Sequence, residues 1–145
     1  EVRGYKVLRD AQSGAVIREV VEWSDPRLPS DLWLTLSTTM VSGGPDMAVN
    51  HAHRSLMEDD DGRWRGTGRS VRDVDQKHSF HALTGEGAYE GLSVVLHGVA
   101  EGTVRHAPYA SVYEGFIFEA ELPPLPDEPV PFTNEAIQFW PLPNE

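Results

Sequence analysis

The sequence predicts an all-β protein, an antiparallel barrel of about eight strands. Three observations carry this prediction. Apolar and polar residues alternate over short stretches, as they do in strands with one buried face. Turn residues recur at spacings of roughly ten residues, the spacing of barrels and sandwiches. No segment keeps the apolar repeat of an amphipathic helix over three turns. An eight-stranded barrel encloses side chains or one small ligand.

The predicted strands are alternating segments, each ended by turn residues. In chain order they are residues 2–9, 16–23, 32–41, 47–58, 63–71, 78–84, 93–99 and 111–120. Gly14 lies in the first connection, where it can take the positive φ of a tight turn. Residues 59–62, Asp-Asp-Asp-Gly, close a hairpin between the fourth and fifth strands. The glycine-rich residues 85–91 join the sixth and seventh.

The remaining segments complete a single β-barrel domain over residues 1–145. Residues 104–106 are predicted as a short edge. Five prolines make residues 123–131 unsuitable for a strand ladder, so this segment is expected to run extended across the surface. Residues 133–140 alternate again and are predicted as a closing strand.

Charge and composition exclude several classes of protein. The chain has 145 residues, with 12 Lys and Arg against 23 Asp and Glu, and a net charge of −11. Such a surface repels phosphates, so we expect no nucleic-acid partner. Without cysteine, the chain has no disulfide, thiol nucleophile or thiolate metal site. No apolar run is long enough to span a membrane. Because the first residue is Glu1, export and a cytoplasmic location both stay open.

Five segments carry a resemblance to a known group of proteins. They are Ser-Asp-Pro-Arg-Leu at 24–28, Arg-Trp-Arg-Gly-Thr-Gly at 63–68, Leu-Thr-Gly-Glu-Gly-Ala-Tyr-Glu-Gly-Leu at 83–92, Glu-Gly-Phe-Ile-Phe at 114–118 and Glu-Leu-Pro-Pro-Leu-Pro at 121–126. In this order they resemble uncharacterised bacterial proteins with allene oxide cyclase-like, or calycin-like, barrels. Plant dirigent proteins and some bacterial polyketide cyclases share this barrel plan. The resemblance implies the fold and, less directly, a role in binding or cyclising a small molecule.

His51 and His53 lie two residues apart on the fourth strand, so their side chains point to the same face. A four-residue loop at 59–62 places both histidines on the face of Trp64 and Gly68. A loop of three or five residues would turn them outward. We expect the inward arrangement, in which small residues opposite the histidines leave a gap that Trp64 caps.

Two histidines on one face are also half of a zinc or iron site. A third ligand would have to come from His78, His81, His97 or a carboxylate. The alternative is a pair of barrel-wall histidines that can transfer protons near neutral pH. We expect this alternative, with no metal and no cofactor.

The strand at 111–120 has two unequal faces. Glu114 and Phe116 lie on the more apolar face, and Tyr113 and Ile117 on the other. We expect the apolar face to line the interior, with Phe116 in a ligand wall and Glu114 as a buried acid or base. The alternative, a swap of the two faces, leaves Glu114 in solvent.

These residues predict a barrel whose interior holds an apolar or amphipathic molecule. The expected ligand wall comprises His51, His53, Trp64, Tyr89 and Phe116. We also expect Trp64, Tyr89, Leu92 and Phe116 to be mostly buried. The alternative is a cyclase or isomerase of allene oxide cyclase type, acting on a polyketide- or fatty-acid-like substrate. Its expected catalytic residues are His51, His53 and Glu114.

A third reading is an interaction domain with a filled core. An internal cavity of more than roughly a few hundred Å³, with a polar group pointing into it, would distinguish a ligand-binding barrel from that domain. The barrel plan is compatible with a homodimer, for which the sequence indicates no interface.

Overall fold

Eight antiparallel strands close into a barrel. The structure, a computed structural model, describes residues 1–11, 16–42, 48–72, 76–101 and 111–120. Strands pair in sequence order, and the last pairs with the first. They are β1 (Val2–Ala11), β2 (Val16–Trp23), β3 (Asp31–Ser42), β4 (Ala48–Glu58), β5 (Gly62–Arg72), β6 (Gln76–Gly87), β7 (Leu92–Glu101) and β8 (Ser111–Glu119). The predicted fold class is confirmed. Over these ranges, no helix is long and apolar enough to cross a bilayer.

The eight predicted strands are all present, with ends that shift by at most three residues. The largest extension is at the end of β6, because Gly85 and Gly87 continue the ladder against Trp64 and Gly62. β8 closes the barrel by pairing with β1, where Val2 lies opposite Gly115.

Three predicted segments lie outside the described residues. They are the short edge at 104–106, the proline-rich segment at 123–131 and the closing strand at 133–140.

One end of the barrel interior is apolar and closed. Trp64 is fully buried, stacks on Tyr89 with 5.1 Å between ring centroids, and donates from Nε1 to the carbonyl oxygen of Arg27 at 2.8 Å. The connection between β2 and β3 adds Leu28 to this core. The predicted burial of Trp64 and Tyr89 is confirmed, and Leu92 is partly buried against the same core. The core comprises Val2, Ile17, Val21, Leu28, Leu32, Leu34, Met57, Trp64, Leu83, Tyr89, Val94, Leu96 and Tyr113.

The other half of the interior contains most of the buried polar side chains among the described residues. The buried ones include Lys6, Glu19, His53, Ser55, Ser70, Ser79, His81 and Ser111. Because side chains alternate along a strand, β4, β5 and β6, which present Met57, Trp64 and Leu83 inward at the closed end, present the members of this set between residues 53 and 81 further along. Buried polar groups are stable only when hydrogen bonds satisfy them, so this half needs a connected network.

The predicted face of β8 was wrong. Phe116 is 58% exposed and the Glu114 side chain 64% exposed, whereas Tyr113 is 2% exposed. The inward face of β8 is determined by the space available and by hydrogen bonding, and not by the number of apolar residues on that face. A Cβ at Gly115 would lie 2.0 Å from the carbonyl oxygen of Val95, so that position accepts only glycine. Tyr113 enters because its hydroxyl finds a buried acceptor, as described below.

Candidate functional site

The hairpin between β4 and β5 has the register that the sequence predicts. Glu58 pairs with Arg63, so His53 lies opposite Gly68 and His51 opposite Ser70. The Oδ1 atom of Asp59 fixes the four-residue loop by accepting the backbone N–H groups of residues 61 and 62, at 3.0 and 2.9 Å. His53 is 2% exposed, and both histidines line an interior cavity. The predicted inward orientation is confirmed.

The predicted gap opposite the histidines is filled. A Cβ at Gly68 would lie 2.2 Å from Cε1 of His53, so the imidazole occupies the space that glycine leaves. Trp64 caps the closed apolar end of the barrel instead, four residues and about 13 Å along β5.

A continuous set of hydrogen bonds, here named the His–Ser chain, crosses the inner wall of β4, β5 and β6. Nδ1 of His81 bonds to Oγ of Ser55 at 2.8 Å, and Ser55 lies 3.3 Å from Nδ1 of His53. Nε2 of His53 lies 3.2 Å from Oγ of Ser70, which lies 3.2 Å from Oγ of Ser79. The two imidazole centroids are 5.0 Å apart. Every step joins groups that can both donate and accept, so the chain can reverse its direction.

Burial lowers the pKa of both imidazoles. For His81, removal from water is the largest cause, Glu19 opposes it, Lys77 adds to it, and the pKa falls to about 4. Burial is also the largest cause for His53, reinforced by His81 and Lys77, and its pKa lies well below the usual 6.5. Both rings are therefore neutral at pH 7, each with one N–H donor and one acceptor nitrogen.

A buried carboxylate lies deeper in the same half. Oε2 of Glu19 accepts the hydroxyl of Tyr113 at 2.6 Å, and Oε1 lies 3.6 Å from Nζ of Lys6. Burial favours the neutral acid, but the charges of Lys77 and Lys6 and the Tyr113 hydrogen bond outweigh it, so the pKa of Glu19 is lowered. Glu19 is therefore a structural anion and remains ionised at neutral pH.

The interior cavity has a volume of about 70 Å³ and two unlike walls. β2 and β3 supply an apolar wall, comprising Ile17, Leu34 and Leu36. β4, β5 and β6 supply a polar wall, comprising His51, His53, Ser70 and Lys77. Since a water molecule takes about 30 Å³ of liquid, the described cavity holds roughly two waters or one small functional group. It is smaller than the volume of roughly a few hundred Å³ that would distinguish a ligand-binding barrel from a domain with a filled core.

The structure divides the predicted ligand wall among three places. His51 and His53 line the interior cavity, while Trp64 and Tyr89 lie at the closed end. The fifth member, Phe116, lines a groove of about 380 Å³ on the outside of β6, β7 and β8, here named the outer groove, together with Glu114, the predicted acid or base. Its outward side chains are Phe80, Ala82, Val95, His97, Glu114 and Phe116. Glu114 therefore cannot act as an acid or base in the interior cavity.

Sequence reasoning missed Ser55, Ser70 and Lys77, and it considered His81 only as a metal ligand. The signal was available for the first two, since residues two apart on a strand share a face. Ser55 follows His53 by two positions, and Ser70 follows Gly68. Within the described ranges, no three His, Asp or Glu side chains come together as a metal site.

Comparison with protein-family models, with curated proteins and with solved structures finds no match to this chain. What bears on function is therefore the geometry of the barrel interior.

Proposed function

We propose that this barrel binds a small apolar or amphipathic molecule in its interior, at the cavity beside His51 and His53. The observation that carries the proposal is the division of the cavity into an apolar and a polar wall. Ligand sites typically combine an apolar lining with a few fixed polar groups. A molecule with one polar end and a short apolar body matches this lining.

The polar wall is held in place before any ligand binds. His53 is fixed by hydroxyl groups on both ring nitrogens, through Ser55 and Ser70, and by the backbone at Gly68 beneath its ring. A ligand therefore does not have to order these side chains, which lowers the entropic cost of binding.

A cyclase or isomerase of allene oxide cyclase type is the second candidate, and the His–Ser chain favours it. A neutral imidazole at a cavity can give or take a proton, and the hydroxyls behind His53 can pass that proton on. Folding a flexible substrate in a shaped cavity supplies much of the remaining rate enhancement. His51 and His53 would be the catalytic residues. The resemblance to allene oxide cyclase-like barrels supports this reading only through the shared fold.

Native mass spectrometry of the full chain, purified from its own host, tests the proposal. We expect a small molecule of constant mass that is retained by the protein and absent from Leu36→Trp, which fills the cavity. Phe116→Ala, in the outer groove, is the matched control and should retain it. Loss from Phe116→Ala but not from Leu36→Trp, or retention of nothing, would contradict an interior site. Release of the molecule at a changed mass would favour the enzyme.

A further inference from the structure

We infer that Glu19 sets the direction of the hydrogen bonds in the His–Ser chain. Each step of that chain allows either direction, and the carboxylate beyond its His81 end selects one. In the selected direction, His81 carries its hydrogen on Nε2 and His53 carries its hydrogen on Nδ1. Nε2 of His53 is then an acceptor. This inference goes beyond the proposed function, because the direction is a property of the protein without any ligand.

Glu19 and His81 are both in contact with Tyr113. The hydroxyl of Tyr113 donates to Oε2 of Glu19 at 2.6 Å, and the Tyr113 ring centroid is 5.9 Å from that of His81. Tyr113 belongs to β8 and Ser55 to β4, so the two residues flank His81 on opposite sides of β6. Tyr113 therefore connects Glu19 to His81 on the side opposite to the His–Ser chain.

Glu19 and His81 each have one buried polar atom that needs a counterpart. Among the described residues, neither Nε2 of His81 nor Oε1 of Glu19 has a hydrogen-bond partner, and both side chains are buried. In such a site a negative charge stabilises a ring N–H and repels a nitrogen lone pair. The carboxylate therefore favours the His81 tautomer that carries its hydrogen on Nε2.

The charges around His81 favour the same tautomer. Burial has the largest effect and lowers its pKa; of the two charged side chains that act on it, Glu19 raises the pKa by more than Lys77 lowers it. The combined field of these two groups at the ring is therefore negative. Positive charge from Lys77 does not reverse the preference that Glu19 imposes.

The remaining assignments follow step by step from His81. With hydrogen on Nε2, Nδ1 of His81 is an acceptor, so the hydroxyl of Ser55 donates to it, at 2.8 Å. A hydroxyl donates once, so Nδ1 of His53 donates to Ser55, at 3.3 Å. His53 is neutral because burial lowers its pKa, which leaves Nε2 to accept the hydroxyl of Ser70, at 3.2 Å. Ser70 in turn accepts the hydroxyl of Ser79, at 3.2 Å.

The consequence for the interior cavity is a fixed chemical character at His53, which lines it. A neutral imidazole in this tautomer can take up a proton at Nε2 and cannot give one there. Glu19 is not among the residues that line the cavity. It is therefore a positioning residue, which acts on the cavity through the tautomers of two histidines.

The ¹⁵N spectrum of the histidine rings in the full chain at pH 7 tests the inference, because a ring nitrogen that carries hydrogen resonates far from one that does not. We expect hydrogen on Nε2 of His81 and on Nδ1 of His53, each at least about tenfold in excess of the opposite tautomer. Glu19→Gln removes the charge at nearly constant shape, and it should bring the two tautomers to comparable populations or reverse them. Glu19→Asp keeps the charge and should preserve the excess.

Glu22→Gln is the matched control, since it removes one negative charge from an exposed position on the same strand. It should leave both tautomers unchanged. Hydrogen on Nδ1 of His81 in the unsubstituted protein would overturn the assigned direction, whether or not any variant folds. Unchanged tautomers in folded Glu19→Gln, or equal changes in Glu22→Gln, would overturn the role of Glu19. The measurement uses no ligand, so it is independent of whether a molecule binds in the interior.

Discussion

The imidazole of His53 lies directly over the backbone of Gly68, on the neighbouring strand. The two residues are register partners, and a methyl group on Gly68 would come within 2.2 Å of Cε1 of His53. Glycine at this position lets the ring approach the inner wall closely, where its two nitrogens meet Ser55 and Ser70. The position of the histidine in the site therefore depends on the absence of a side chain opposite.

Gly68→Ala should destabilise the barrel by about 1–3 kcal/mol or more, because the new methyl group collides with His53 and with the backbone carbonyl of Phe80, 2.6 Å away. Urea denaturation measures the loss. Gly91→Ala is the control: its φ is +83° and no atom lies within 4 Å of the added Cβ. Gly91→Ala should lower the free energy of unfolding by about 1–2 kcal/mol, because alanine disfavours the left-handed backbone conformation. It should leave the His53 resonances unchanged. Displaced His53 resonances in Gly91→Ala but not in Gly68→Ala would contradict the packing described.

Ser55→Ala should cost about 1–3 kcal/mol, because it leaves ring nitrogens of His53 and His81 without their shared hydroxyl in a buried site. Chemical denaturation gives the free energy, and imidazole ¹⁵N shifts report the change in tautomer. Ser30→Ala, at an exposed position, should change stability by less than about 0.5 kcal/mol. Equal effects of the two substitutions would show that the His–Ser chain does not exist in solution.

The protein should lose stability between pH 6.5 and pH 4. Burial holds the pKa of His81 at about 4 in the folded state, against 6.5 when unfolded. The unfolded chain therefore binds a proton in this window that the folded chain does not, and His81 alone accounts for about 3 kcal/mol lost by pH 4. Its contribution is complete above pH 6.5. Denaturation at pH 7 and pH 4.5 measures the loss, and His81→Gln should show less of it. A constant free energy of unfolding over that range would refute the buried, neutral imidazole.

The loss of stability on replacing an aromatic residue by alanine should be large in the barrel interior and small on the outer surface. Trp64→Ala empties the closed end of the core and should cost about 3–5 kcal/mol. Phe116→Ala removes a side chain that is 58% exposed, so stability should change by about 0.5 kcal/mol or less. Thermal denaturation compares them directly. A loss of stability from Phe116→Ala larger than that from Trp64→Ala would indicate that Phe116 points into the barrel, as the sequence predicts.

The strands and the hairpin register could be predicted because local signals determine them. Alternation marks each strand, and the loop that Asp59 closes fixes which residues of β4 and β5 are partners. The inward orientation of His51 and His53 then follows from parity alone.

The face of β8 could not be predicted in the same way. The count of apolar residues favours the face of Phe116, but the barrel is apolar on its outer surface at β6 and β7 as well, as Phe80 and Val95 show. What places Tyr113 inside is its contact with Glu19, which is 94 residues earlier in the chain. The ring of Tyr113 also needs the bare backbone of Gly98, where a Cβ would lie 2.5 Å away. No local pattern carries either relationship.

Anomalous diffraction distinguishes directly between a small molecule bound inside the barrel and one bound in the outer groove. Crystals of the full chain would be grown with 6-bromohexanoate, whose bromine gives its own signal. We expect one bromine peak within the barrel, beside Leu34 and Leu36 in the interior cavity. A bromine peak beside Phe116 and Val95, with the interior holding only water, would contradict it.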